Sequence, residues 1–175
     1  MMEQVILVDE QDNHVGLMEK QAAHVTPHLH RAFSVFIFNS KGELLLQQRA
    51  LSKYHSPGLW TNTCCSHPRA GETLAEATSR RLMEEMGMTC PMHEVYTFIY
   101  KAPVGQGLTE HEFDHVWIGQ SDETPNINHE EVESWKYMNL NELSEDIQLH
   151  PEHYTEWFKI TFEEMTHHAK AFLPY

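Results

Sequence analysis

RAFSVFIFNSKGELLLQQRA, residues 31–50, is two apolar, β-rich runs joined by a short polar turn. Phe, Val and Ile crowd the first run, and Asn-Ser-Lys-Gly supplies the residues that a tight turn favours. Both runs must be buried against something, so this segment commits the fold to a sheet with a covered face. The other elements arrange themselves around it. VILV at 5–8 reads as a short strand, followed by a polar turn at 9–16, and SPGLWTNT at 56–63 reads as a loop. VYTFIYKA at 95–102 and TEHEFDHVWIG at 109–119 read as strands separated by the loop APVGQG, and VESWKYMN at 132–139 as one more. Thr73, with Glu76 three residues later, has the capping-box pattern and opens a helix that Gly87 stops. Pro151 suits an early position in a long terminal helix over 152–172. Strands and helices do not alternate strictly, which predicts an α+β sandwich with a mixed sheet rather than a doubly wound fold. With no repeat and no Gly/Ser linker, residues 1–175 read as one domain.

The formal net charge of -14 argues against nucleic acid or an anionic membrane surface as partner. A small anionic substrate is compatible with it only if divalent cations and a few local Lys or Arg offset the repulsion. No apolar run approaches the roughly 20 residues that cross a bilayer, and the N-terminal stretch MMEQVILVDEQDN lacks the basic and apolar regions of a secretory signal. Three cysteines are an odd number, and adjacent Cys64 and Cys65 are poorly placed to pair with each other. A reducing, cytoplasmic location is therefore expected. Most of the 14 histidines are expected on the solvated surface.

Three segments hold the chemistry. Strand alternation puts Glu110 and Glu112 on one face, about 7 Å apart along the backbone, with Asp114 continuing that face. His111, Phe113, His115 and Trp117 take the other. The acidic face is equally consistent with a solvated sheet edge and with a site. His24 and His30 precede the first long strand, and His67 follows Cys65 by two. Imidazoles with carboxylates suit Mn2+, Mg2+-type ions or Zn2+, yet this spacing is no tight zinc motif, and His24 reads as readily as a histidine at a helix end. In the helix 73–87, Arg80 with Glu84 and Arg81 with Glu85 are i,i+4 pairs, the pattern of a solvated ion-paired face as much as of a functional one.

The stretch SHPRAGETLAEATSRRLMEEMGM, residues 66–88, resembles the Nudix box, with Glu72, Arg80, Leu82, Glu84, Glu85, Gly87 and Met88 matching. Ser66 replaces the first Gly of the box. Arg81 replaces a Glu that belongs to the metal cluster of hydrolytic members, and a guanidinium cannot bind a cation. Ala22-Ala-His, Leu29-His-x-Ala-Phe-Ser, QQRALSKYHSPGLWTN (47–62), Cys65-x-His-Pro, Arg80-Arg-x3-Glu-x-Gly, Phe98-Ile-Tyr-Lys-Ala and Glu110-His-Glu together resemble the type I isopentenyl-diphosphate isomerases. The likeness is strongest over 20–119. It departs from the family in a His24–His30 gap one residue shorter.

This resemblance implies a Nudix-like α/β/α sandwich and a double-bond isomerisation between isopentenyl and dimethylallyl diphosphate. Cys65 and Glu112 would be the two acid/base groups, on opposite faces of the substrate, with Tyr100 beside Glu112. His24, His30, His67, Glu110 and Glu112 would hold one divalent ion, Mn2+ or another. Glu85 and the Cys65 carbonyl would serve a Mg2+ that meets the diphosphate. Lys20, Arg49, Lys53 and Arg81 would contact the diphosphate, and Trp157 would face the hydrocarbon. Cys64 reads as packing and Cys90 as a buried structural thiol. The other readings are a Nudix diphosphohydrolase and a metal-binding protein without catalysis. A monomer or weak homodimer is expected.

Overall fold

The computed structural model describes residues 3–173. The turn at 39–43 forms as its residues require. Asn39 N–H donates to the Glu43 carbonyl and Gly42 N–H to the Asn39 carbonyl, with Gly42 at φ 75°. This turn joins β3 (His30–Phe38) to β4 (Leu44–Arg49), which meet antiparallel at Phe38 and Leu44. Beyond that rung the strands part, and the expected long hairpin is not made. Thr63 comes between them: its hydroxyl accepts from Ile37 N–H at 2.9 Å and donates to the Leu45 carbonyl at 2.6 Å. A side chain thus closes the backbone bonds that a continuous ladder would have closed.

Set apart in this way, each strand takes other partners. β3 lies between β8 (Leu108–Gln120), with which it runs parallel from His30/Glu112 to Phe38/Gln120, and the short β6 (Cys64–Ser66), which pairs with it antiparallel. β4 pairs with β9 (Val132–Met138) and with β5 (Trp60–Thr61). β7 (Met92–Gly105) forms a long hairpin with β8, so strand runs through much of the expected 102–107 loop. At the other end β1 (Gln4–Val8) pairs with β2 (His14–Glu19) and touches β3. The 56–63 segment, read as loop, supplies β5 at its centre, and the 9–16 turn gives way to β2 from His14.

Helices cover both faces of this mixed sheet, the expected α/β/α sandwich. On one face α2 (Leu74–Met86) buries Ala77, Leu82 and Met86 against Phe33, Val35, Ile37 and Leu45. On the other, α3 (Leu140–Leu149) and α4 (Glu156–Phe172) lay Leu143, Trp157, Phe158 and Met165 on Phe36, Phe38, Leu46, Val116 and Ile118. A short α1 (Lys20–Val25) precedes β3. Sequence alternation missed α1 and α3, whose few apolar positions give little periodicity. The terminal helix is shorter than expected. Pro151 opens a separate 3-10 turn over Pro151–His153, and Tyr154 is extended and pairs with Trp60, so α4 starts only after the Thr155 cap. No helix among the described residues is long and apolar enough to cross a membrane.

The capping box forms as read: Thr73 Oγ1 accepts from Glu76 N–H, and the Glu76 carboxylate accepts from Thr73 N–H. Gly87 ends α2 in the left-handed region at φ 62°. A Cβ there would stand 2.3 Å from the Asn126 carbonyl oxygen, whereas at Gly71, also left-handed at φ 81°, nothing lies within 4 Å. Gly71→Ala should therefore lose about 1 kcal/mol of stability through backbone strain alone. Gly87→Ala should lose distinctly more, because Asn126 N–H donates to the Met86 carbonyl and the loop that carries Asn126 must shift with it. Urea unfolding of both variants tests this, and equal losses would contradict it.

A candidate metal and diphosphate site

The parallel register of β3 with β8 places His30 directly opposite Glu112. Alternation along β8 puts Glu110 on the same face, two residues away. Both carboxylates are buried, not on a solvated edge. The last turn of α1 brings in His24, and the connection from β6 to α2 brings in His67. One ligand atom from each of His24, His30, His67, Glu110 and Glu112 lies within 4.8 Å of all the others. His24 Nε2 is 2.6 Å from Glu110 Oε1, His67 Nε2 is 2.8 Å from Glu112 Oε2, and His30 Nε2 is 3.3 Å from Glu112 Oε2. Sequence reasoning thus named all five residues, though it expected most histidines on the surface.

These atoms suit a cation. His24 Nδ1 donates to the Lys20 carbonyl at 2.6 Å and His30 Nδ1 to the His28 carbonyl at 2.8 Å. A carbonyl only accepts, so each ring keeps a proton on Nδ1 and turns Nε2 toward the carboxylates. Glu110 Oε2 is buried without a hydrogen-bond partner. Three imidazoles and two carboxylates are the donor set that Mn2+, Zn2+ and similar divalent ions take. Burial, and then the neighbouring Glu112 charge, push the Glu110 carboxyl well up. Burial also acts on Glu112, but the hydrogen bonds from His30 and His67 outweigh it and hold this carboxylate well below the usual range. Burial lowers His67 to about 4, which keeps that imidazole neutral.

Tyr100, opposite Glu112 on β7, donates its hydroxyl to Glu112 Oε1. Across the cleft, Cys65 is half-buried on β6, and burial pushes its thiol well up, so it is held as S–H. Cys65 and Glu112 line one cleft, which encloses about 440 Å3 when its open mouth is counted. Lys20, Arg49, Lys53 and Arg81 line it as well, as does Trp157. The Trp157 indole donates to Asn62 Oδ1 at 3.3 Å, and the Arg49 guanidinium lies 5.3 Å from its ring centre. The start of α4 is fixed to β5 by Thr61 Oγ1 and Thr155 Oγ1, 2.8 Å apart.

Glu85 stands outside the five-residue group. Its Oε2 accepts from Cys64 Sγ at 2.9 Å, and Arg81 Nη2 lies 3.6 Å away. Cys64 is thus a hydrogen-bonded support for Glu85 as well as a packed side chain, and Cys90 is half-buried rather than buried. All three thiols are free. Arg81 also reaches Glu84 at 3.0 Å and Glu131 at 3.4 Å. Arg80 makes a second bond set that the helical spacing did not reveal, a fork onto both oxygens of Glu72 at 2.7 and 3.0 Å.

Sequence reasoning missed three lining residues, Tyr54, His55 and Ser66. His55 is buried, with Nε2 3.0 Å from Glu110 Oε1. Burial, then the Arg49 charge, lower it to about 2. Its distance in sequence from β8 gave no spacing by which to find it.

Chelator-stripped protein should gain stability on adding Mn2+, because five buried polar groups then share one positive charge centre. At a hundred times the dissociation constant the gain is about 2.7 kcal/mol, or roughly 5–10 °C in melting temperature for a chain of this size. Differential scanning calorimetry measures it; no shift would mean that the cluster does not take this ion.

A NUDIX domain model matches residues 28–158. The chain is 49% identical over 169 residues to the isopentenyl-diphosphate Delta-isomerase of Pectobacterium atrosepticum, covering 97% of this chain and 94% of the relative. It is 52% identical over 157 residues to isopentenyl-diphosphate Delta-isomerase 2 of Aromatoleum aromaticum, covering 90% and 83%. Among solved structures, DR0079 of Deinococcus radiodurans superposes with a TM-score of 0.70 at 25% identity, over 84% of this chain and 90% of that one. The chain belongs to the isopentenyl-diphosphate Delta-isomerase family of the Nudix superfamily.

Proposed function

We propose that the protein, acting as one domain, interconverts isopentenyl diphosphate and dimethylallyl diphosphate. The observation that carries this reading is the cleft itself: Cys65 on β6 and the Tyr100–Glu112 pair on β7 and β8 line it from strands on either side of β3, and four cationic side chains share the same lining. Moving a double bond from a terminal to an internal position requires one proton to be added and another removed from a neighbouring carbon. Two proton-handling groups on different walls suit that task, and a diphosphohydrolase has no use for the pair. Arg81 counts further against hydrolysis, since it stands where the hydrolytic box has a metal-binding carboxylate.

The residues divide the work by chemistry. Lys20, Arg49, Lys53 and Arg81 bind the diphosphate, the arginines through planar forks. Lys53 and Arg81 are positioned by Glu131, which Lys53 contacts at 2.6 Å. Trp157 presents its ring to the hydrocarbon and to positive charge developing at the tertiary carbon. Cys65 handles one proton as a half-buried thiol and Glu112 the other, with the Tyr100 hydroxyl fixing the direction of its carboxylate. A divalent ion held by His24, His30, His67, Glu110 and Glu112 would add acidity and charge balance at that wall. A Mg2+ at Glu85 and the Cys65 carbonyl would balance the diphosphate, in keeping with the net charge of -14.

Incubation with Mg2+ and isopentenyl diphosphate in heavy water, followed by NMR, should give the allylic isomer with deuterium in the methyl group that the terminal CH2 becomes; release of phosphate or pyrophosphate instead would overturn the reading. Cys65→Ala and Glu112→Gln should each lower turnover by at least about two orders of magnitude, the scale of losing a positioned acid or base. Retention of near-normal turnover by either variant removes that residue from the chemistry. Arg81→Glu, which puts back the box residue, should raise KM strongly by setting a like charge against the diphosphate. Unchanged kinetics would reduce Arg81 to a brace for Glu84 and Glu85.

A further inference from the structure

We infer that His150, Glu152 and His153, on the turn between α3 and α4, form a second cation site, one that takes Zn2+ at the surface. One ligand atom from each of the three lies within 4.8 Å of the other two. Among the described residues only the buried cluster shares that property. None of the three lines the cleft, so this site is separate from the one that binds the diphosphate.

The winding of the turn brings the three together. His153 N–H donates to the His150 carbonyl at 3.0 Å, an i to i+3 closure, and side chains three apart in such a turn eclipse. The two rings accordingly stack, with centroids 4.9 Å apart and planes 12° apart. Glu152 Oε1 lies 3.6 Å from His150 Nδ1 and 3.7 Å from His153 Nε2, too far for hydrogen bonds. Ligands of a tetrahedral Zn2+, each about 2.0–2.1 Å from the ion, stand about 3.3 Å from one another. Small side-chain rotations therefore bring the carboxylate oxygen and both rings onto one ion. Imidazole and carboxylate are Zn2+ donors, and three of them leave a fourth position for water.

The backbone beneath these side chains is already fixed. Pro151 restricts the turn, His150 N–H donates to the Asp146 carbonyl at 2.7 Å, and Tyr154 N–H donates to the Pro151 carbonyl at 3.3 Å. Past the turn, the buried Tyr154 donates its hydroxyl to the Asp146 carboxylate, and Thr155 N–H donates to the Trp60 carbonyl at 3.0 Å. Binding thus has to order only three side chains, each at least half exposed and open to an ion from solvent. The net charge of -14 favours a cation at this surface.

Equilibrium dialysis of chelator-stripped protein against micromolar Zn2+, followed by metal analysis, tests the site. His150→Ala/His153→Ala should hold one Zn2+ fewer per chain than the wild type. That difference is the same whether or not the buried cluster takes Zn2+, so the result does not depend on the metal reading of that cluster. His167→Ala/His168→Ala removes an adjacent pair on α4 whose rings stand edge-on at 86°, and it should match the wild type. Equal Zn2+ content in the wild type and His150→Ala/His153→Ala, or an equal loss in both double variants, would overturn the proposal. A Zn2+ titration of the wild type followed by 15N NMR of the imidazoles needs no variant. The His150 and His153 nitrogens should shift together and saturate, and movement of other rings alone would overturn the proposal.

Discussion

Two carboxylates, Glu110 and Glu112, are buried side by side on one face of a strand, and the structure around them answers the electrostatic problem this creates. Two like charges in a dry interior repel strongly and each loses its hydration. The chain responds asymmetrically. Glu112 receives hydrogen bonds from His30, His67 and Tyr100 and stays ionised, whereas Glu110 is pushed toward the protonated form. Neither group gains anything from this for folding alone, since buried charges seldom stabilise better than apolar packing would. The arrangement makes sense as a cation site retained at a cost in stability.

That site needs elements far apart in sequence to meet at one end of the sheet. The single hydroxyl of Thr63 makes this possible by separating β3 from β4, freeing β3 to pair with β8 and β6. The two pairings place both groups proposed to handle protons at once. β8 brings Glu112 opposite His30, and β6 brings Cys65 opposite Ser34 on the other side of the same strand. β3 is thus the rigid spacer between the two proton-handling groups, and its apolar residues, buried on both faces, hold that spacing.

Helix α2 shows how one substitution redirects a family scaffold. The Arg80 fork keeps Glu72, and with it the connection that carries His67, against the helix. Arg81, proposed to contact the diphosphate, is held by three carboxylates, Glu84, Glu85 and Glu131. In a chain of net charge -14 such local pairing keeps a cationic patch intact at the mouth of the cleft.

The sequence by itself determined what depends on neighbours in the chain. Turn residues fixed the 39–43 reversal, Thr73, Glu76 and Gly87 fixed the ends of α2, and alternation fixed the shared face of Glu110 and Glu112. The motif order from Ala22 to Glu112 was legible too, and with it the five residues of the cluster. Tertiary structure alone decided which strands pair, because the partner of β3 depends on a hydroxyl 26 residues away. It decided that the acidic face is interior, since alternation distinguishes the two faces of a strand but not which one is covered. It also decided the place of His55, a residue without a telling spacing. Only the folded backbone brings its ring nitrogen within 3.0 Å of a carboxylate 55 positions along the chain.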